Sequence, residues 1–338
     1  MADRLRLGID CYSLRSFHWK DIQLIDYAAS LGVDAMQIDM GDLASREPEH
    51  LRQVREHAAE KGIHLDAATG CVCPVSSSFQ PATKDPVQYL TDSMVAAHQL
   101  GAQVLRCFIS TPAERRRGLS VKKFIDTTLP VLKSVRQRAA DLDLRIAVEN
   151  HGDLTAREMR ALIEAAGKDF VGSNLDTGNP MWVLEDPAET VEILGPYALT
   201  SHIRDSALYE HPRGAAFQWV AMGDGTMEWT HILDGFRRLC PQVSLQLEII
   251  TGRRPQILPF LDAEFWKIFP DMTASDLARF VALAKRGHPF EGFMVIADPM
   301  QDAPAEYVAA LKQQQRTDLE RSVAYARETL GIGVRGRS

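Results

Sequence analysis

The segment Leu245-Gln246-Leu247-Glu248-Ile249 alternates apolar and polar side chains at every step. Successive side chains of an extended chain point to opposite faces, so this run presents one apolar face and one polar face. Met36-Gln37-Ile38-Asp39-Met40 and the start of Leu105-Arg106-Cys107-Phe108-Ile109 repeat the pattern. Outward from these runs, short apolar stretches alternate with longer amphipathic ones from residue 5 to about 250. Strands are predicted at Leu5 to Cys11, Ala35 to Met40, His64 to Ala68, Val104 to Ile109, Arg145 to Asn150, Val171 to Asp176, Leu199 to Arg204 and Ser244 to Ile250. Helices are predicted near 19–31, 48–61, 86–100, 121–141, 155–166, 187–197 and 228–239. Gly32, Gly62, Gly101 and Gly167 close several of these helices, as left-handed C-caps do.

Regular strand-helix alternation implies a parallel sheet, either open and doubly wound or closed. Strands of an open sheet are covered on both faces and read as continuous apolar runs. Strands of a barrel turn one set of side chains to the surrounding helices and the other to the axis. The alternation therefore predicts an α/β fold, a (β/α)8 or TIM barrel, over residues 1–255 as one catalytic domain. Residues 256–338 carry helical patterning near 274–286 and 303–330 and are read as a helical C-terminal extension, a lid or dimer contact. The apolar pieces at 257–261 and 265–269 need covering by the barrel or by a second subunit, and a homo-oligomer is expected.

With the apolar set turned outward, the axis receives Asp10, Gln37, Asp39, Asp66, Arg106, Glu149, Asn174, Asp176, His202, Arg204, Gln246 and Glu248. Buried carboxylates without partners are expensive, so these groups must pair with one another, with water or with a metal. Most lie at the C-terminal ends of their strands, where barrel active sites occur. Glu149, Asp176, His202 and Glu248 fall on consecutive strands with the same facing. Three converging carboxylates repel and raise one another's pKa unless a cation sits among them. One imidazole with three carboxylates is a hard, mostly oxygen donor set, suited to a single Mn2+, Mg2+ or Co2+ ion, with Mn2+ the first choice.

Composition narrows the function classes. The net charge of -7 and pI near 5.8 argue against a phosphate-backbone binder, so no nucleic-acid partner is expected. The basic run Arg115-Arg116-Arg117 reads as a solvated loop. The 5 cysteines are odd in number and scattered, which argues against a disulfide framework, and the Cys71-Val72-Cys73 spacing is wrong for a zinc knuckle. No membrane-spanning run and no signal-peptide pattern are found, and a cytoplasmic location is expected.

The four ligand segments, Val148-Glu149-Asn150-His151, Leu175-Asp176-Thr177-Gly178-Asn179, Ser201-His202-Ile203-Arg204-Asp205 and Leu247-Glu248-Ile249, together with Gly223-Asp224-Gly225, resemble the xylose-isomerase-like superfamily. That superfamily includes ketose 3-epimerases, inosose dehydratases and hydroxypyruvate isomerases, and also lyases acting on oxidised glycosides. The resemblance covers about residues 5–255 and implies a metal on Glu149, Asp176, His202 and Glu248, with Glu149 and Glu248 also moving protons. It implies a small carbohydrate or polyol substrate and an isomerase or epimerase reaction that begins with proton removal next to a carbonyl.

The sequence departs from the epimerase pattern in having Asn179-Pro180-Met181-Trp182 where a His is common, and in having His151 directly after Glu149-Asn150. A His beside the metal would serve as acid or base in β-elimination, so a lyase or dehydratase acting on a keto-sugar, inosose or 3-keto glycoside is the second expectation. Arg204, Asn179, Asp205, Trp182 and Arg106 are read as substrate contacts, with Trp182, Phe217 and Trp219 as an apolar wall in loops. Arg253 and Arg254 stand where an anionic substrate would approach. The stretch Ala207 to Met222 reads as a long pocket-shaping loop, and Cys71 to Pro74 as another pocket loop. An apurinic-site endonuclease is disfavoured by the acidic charge and the single metal set. A non-catalytic barrel subunit is disfavoured because no ligand position is lost.

Overall fold

The computed structural model describes residues 5–292, 295–299 and 302–334. Parallel strands β1 (Arg6–Asp10), β2 (Ala35–Asp39), β3 (His64–Cys71), β4 (Val104–Phe108), β5 (Arg145–Glu149), β6 (Val171–Asp176) and β7 (Ala198–Ile203) are followed by a hairpin, β8 (Asp205–His211) and β9 (Gly214–Val220). After it come β10 (Ser244–Leu247) and the short β11 (Gln256–Leu258). The barrel closes in the order β1-β10-β7-β6-β5-β4-β3-β2, and β11-β9-β8 form a separate small sheet. The expected (β/α)8 barrel is the fold of this chain.

The helices are α1 (Asp21–Ser30), α2 (Pro48–Lys61), α3 (Pro86–Gln99), α4 (Pro112–Arg116), α5 (Val121–Ser134), α6 (Arg136–Asp141), α7 (Ala156–Ala166), α8 (Pro187–Leu194), α9 (Trp229–Leu239), α10 (Ala274–Arg286) and α11 (Ala305–Glu328). Local sequence starts and stops them. Asp85 accepts from the amides of Val87 and Gln88 to begin α3, and Thr155 with Glu158 forms a capping box on α7. Gly62 ends α2 at φ 64°, a left-handed conformation that suits glycine. The helix expected over 121–141 divides at Val135, where φ -97° and ψ 3° leave the helical region.

The outward apolar set packs under the helices as predicted. Leu7, Ile9, Met36, Ile38, Leu105, Ile146, Val148, Leu175, Leu245 and Leu247 are fully buried in one core with Leu162 and Ile163 of α7 and Ile232 and Phe236 of α9. Each fully buried aliphatic side chain contributes about 1.5–3 kcal/mol to this seam. The inward set meets across the axis. Gln37 on β2 donates to Asn174 on β6 (3.3 Å), while Thr200 on β7 and Gln246 on β10 both donate to Asp66 on β3 (2.7 and 3.0 Å).

Three parts of the structure differ from the sequence reading. The stretch 207–222 is mostly the β8–β9 hairpin rather than a loop, so Phe217 and Trp219 stand on a strand. The basic run is not a solvated loop: Arg115 is buried, bonding Glu158 and the Asp153 carbonyl (both 2.7 Å), and Arg116 lies over Trp182. Cys71 and Cys73 sit in the main core instead of lining a pocket, and burial pushes the Cys71 thiol up to about 12.

Residues beyond 255 serve two places. Phe260, Phe265, Phe269 and Phe280 form a second core with Met181, Leu208 and Phe217 above the barrel mouth. These apolar pieces are thus partly covered within the chain, and Ile257 and Leu261 remain exposed. Leu319, Val323 and Ala326 of α11 instead join the barrel's own core, and the Gly333 amide donates to the Leu5 carbonyl at 3.0 Å. Among the described residues no helix is long and apolar enough to cross a membrane.

Candidate metal centre and substrate cavity

Glu149, Asp176, His202 and Glu248 are brought together at the C-terminal end of the barrel. Each offers a ligand atom, and those atoms all lie within 4.8 Å of one another. The strand register sets this: Asp176 is opposite His202, which is opposite Gln246, two residues before Glu248.

Each group is held by neighbours. The amides of Gly178 and Asn179 both donate to one Asp176 oxygen at 2.7 Å, leaving the other oxygen turned to the cluster. Asn150 bonds the Asp176 backbone in both directions (2.8 and 2.9 Å) and fixes the end of β6 against β5. The Ser13 hydroxyl donates to the Leu247 carbonyl (3.0 Å) and accepts from the Ile249 amide (2.9 Å), gripping the chain on both sides of Glu248. Asn179 donates to Glu149 at 3.0 Å, and Arg106 pairs with the other Glu149 oxygen. Burial works against an ionised Glu149, but Arg106 and His202 outweigh it and hold its carboxyl well below the usual range.

His202 tests whether the set fits a metal. Its Nε2 lies 2.8 Å from the Gln37 side-chain oxygen, an acceptor, which places the ring proton of the neutral imidazole there. The buried Nδ1 makes no hydrogen bond and faces oxygens of Glu248, Glu149 and Asp176 at 3.4, 3.5 and 3.7 Å. A lone pair aimed at three carboxylates calls for a cation or a proton among them, a need that Arg204 meets only in part by bonding the Asp176 and Glu248 oxygens. Burial disfavours a charged ring, yet Glu248, Glu149 and Asp10 raise its pKa well above the ordinary value, so a proton and a cation compete for this place. The donor set suits a divalent ion.

The other expected site residues take different positions. Arg204 is buried, bridges Asp176 and Glu248, and lies over the Trp219 ring at 4.4 Å. A side chain at Gly178 would meet the Arg204 stem at 2.3 Å, so only glycine leaves room for it. Asp205, expected to touch substrate, instead points away into the Gly223-Asp224-Gly225 turn. Its oxygens accept from the amides of Ser206, Gly223 and Gly225 at 2.8, 2.9 and 3.3 Å. The Gly-Asp-Gly turn is thereby a structural lock, and Asp224 ties it to Arg321 of α11.

Above the cluster opens a cavity of about 850 Å3 lined by Arg106, His151, Asn179, Trp182, Arg204 and Glu248 among others. His151 Nδ1 lies 2.9 Å from the Ser110 carbonyl, which can only accept, so Nδ1 carries the proton. Its ring packs on Phe108 with centroids 4.5 Å apart. Trp182 meets Phe217 edge-on (4.8 Å) and Trp219 edge-on (6.1 Å), forming the expected apolar wall. Gln37, Asn150 and Ser13 support the site, and the sequence alone does not mark them as site residues. Gln37 was legible only as one of the inward set, and Ser13 lies outside any strand.

A family model described as "Xylose isomerase-like TIM barrel" matches residues 25–256. Among curated proteins, 3-oxo-isoapionate decarboxylase of Pectobacterium atrosepticum is 22% identical over 209 residues, 61% of this chain and 69% of that protein. A crystal structure of D-psicose 3-epimerase in the presence of D-fructose superposes with a TM-score of 0.62 at 17% identity, covering 97% of this chain and 100% of that one. A structure of IOLI protein with a binding zinc atom gives a TM-score of 0.55 at 13% identity, over 83% of this chain and 95% of that one.

Proposed function

This chain belongs to the xylose isomerase-like TIM-barrel family, and from that premise we propose that it is a divalent-metal-dependent isomerase or epimerase of a sugar or polyol. The reaction begins with proton removal next to a carbonyl. The orientation of His202, with Nε2 tied to Gln37 and bare Nδ1 among three carboxylates, carries this reading. Glu149, Asp176, His202 and Glu248 would hold one ion, Mn2+ in preference to Mg2+ or Co2+. Bound there, the ion would supply Lewis-acid stabilisation of charge developing on the substrate's oxygens.

The chain's own residues do the rest. Glu149 and Glu248 take and return the proton at the carbon beside the carbonyl. Arg106 keeps Glu149 ionised and so able to accept. Arg204 lies against both Asp176 and Glu248 and balances part of their charge. Trp182 and Trp219 shield one side of the cavity from water, and Asn179 orients Glu149. Trp182, Phe217 and Trp219 roof the cavity, the segment 256–286 packs behind them, and α11 packs on the barrel's own core.

Metal analysis of the purified protein, followed by solvent-deuterium exchange into ketoses, inososes and 3-keto glycosides, tests the proposal. Stoichiometric metal with exchange into one of them is expected. Absence of metal from protein saturated with Mn2+ and washed, together with an unchanged Glu248→Gln variant, overturns it. A lyase acting by β-elimination is the second reading, and His151 favours it: with Nδ1 bonded to Ser110, Nε2 is left for the cavity as an acid or base. The relative named for a decarboxylation is also a bond-cleaving enzyme. His151→Gln should then abolish product formation while leaving deuterium exchange intact.

A further inference from the structure

The cavity lining carries charges of both signs. Asp10, Asp39 and Asp42 belong to it, at the ends of β1 and β2. Arg116 and Arg254 line it beside the aromatic wall: Arg116 stands over Trp182 at 4.6 Å, and Arg254 lies two residues before Gln256, whose strand partner is Phe217. The other cavity arginines are engaged. Arg106 pairs with Glu149, Arg204 with Asp176 and Glu248, and Arg15 with Asp298, which Arg253 also approaches at 3.5 Å. Among the described residues, the guanidiniums of Arg116 and Arg254 have neither a hydrogen bond nor an acidic partner within 4.0 Å. Both residues line the same cavity as the three aspartates, whose carboxylates accept hydrogen bonds.

Resting on the reading of a metal-dependent sugar enzyme, we propose that the substrate is a polyhydroxy oxo acid whose carboxylate is held by Arg116 and Arg254. A planar guanidinium matches a carboxylate through paired N–H donors, and it is more weakly hydrated than a Lys ammonium. The aspartates accept from the substrate's hydroxyls. The two ends of the substrate are thereby distinguished, and its carbonyl is set over Glu149 and Glu248. A phosphate would compete for the same two guanidiniums, so the test includes one.

The test measures binding of 5-keto-D-gluconate, D-fructose and D-fructose 6-phosphate by calorimetry, to full-length protein both Mn2+-loaded and metal-free. The variants are Arg116→Gln, Arg254→Gln and the double substitution. The wild type should bind the keto acid roughly tenfold or more tightly than the neutral ketose, as a charge-assisted hydrogen-bonded pair implies. Most of that preference should vanish in the double variant, with Mn2+ stoichiometry unchanged. Equal binding of acid and neutral ketose overturns the proposal. So does a preference that survives the double variant, since the metal alone then captures the acid, and so does tighter binding of the phosphate. Failure to load Mn2+ counts against the metalloenzyme reading instead, because the acid preference is read separately in metal-free protein.

Discussion

On the floor of the cavity the functional side chains leave strand ends and are pinned by polar partners, whereas the roof is held by packing. Glu149 is fixed by Arg106 and Asn179, Asp176 by two backbone amides, and His202 by Gln37. In the roof, Phe217, Phe260, Phe265 and Phe280 rest on one another, and Trp182 lies against Phe217. The difference separates two tasks. A floor with strong directional restraints fixes where charge is stabilised, and a roof with few of them determines what enters. Substitutions on the floor should therefore damage chemistry, and those in the roof should alter stability or selectivity.

The largest effect is expected for Glu248→Gln, which removes both a ligand charge and a proton-moving group. Exchange of substrate protons with solvent should fall by about 10²–10⁴, the usual range for a lost acid or base. The fold should be kept, since the amide fills the same space, and far-UV circular dichroism checks that. An active Glu248→Gln enzyme would dissolve the distinction between floor and roof.

Phe280→Ala tests the roof. Phe280 is fully buried and packs edge-on to Phe260, with ring centroids 6.4 Å apart. Truncating a buried Phe costs about 3–5 kcal/mol. Because the second core is separate from the barrel's, that loss should be local. Amide exchange should accelerate in β11 and α10 while protection in β5 and β6 is unchanged. Uniform loss of protection would mean that floor and roof unfold as one unit.

Gln37→Leu is a smaller, purely orienting change on the floor. It leaves all four ligands in place but removes the acceptor that fixes the His202 tautomer. Mn2+ affinity should drop by about 10–100-fold, as for other outer-shell partners of metal-binding histidines. Titration against a competing chelator measures it. An unchanged affinity would show that strand register alone orients the imidazole.

The floor was legible because barrel strands write their facing into a two-residue period. Once Leu245, Leu247 and Ile249 are assigned outward, Gln246 and Glu248 have no choice but to face the axis, and the same logic finds Glu149, Asp176 and His202. The roof has no such period to read. The hairpin 205–220 carries Ala207, Ala215 and Ala216, too small to mark a face, and its sheet partner 256–258 lies far along the chain. The Pro212-Arg213-Gly214 turn between runs of mixed residues was the available signal. The facing of Asp205 escapes the sequence for a related reason. It follows the inward residue Arg204 at the point where the chain leaves the barrel, so parity no longer tells which way it points.

Asp205 stands at the junction of floor and roof and gives the comparison a pH dependence. It is buried, and burial pushes its carboxyl up to about 6, against the opposing pull of the Gly223, Ser206 and Gly225 amides. Between its ordinary value of 3.8 and about 6, the folded chain holds a proton that the unfolded chain has released. The group's contribution to stability is therefore full below pH 4, falls as pH rises to about 6, and is level above it. Asp205→Asn cannot titrate and loses an acceptor for the turn amides, which costs about 1–3 kcal/mol. In urea unfolding, the stability gap between wild type and variant should be widest below pH 4 and narrow steadily up to pH 6. Mn2+ affinity should stay as it was, because neither Asp205 oxygen faces the ligand cluster. A gap that widens with pH would mean that the amides, rather than burial, govern this carboxyl, and that the turn binds it as an anion.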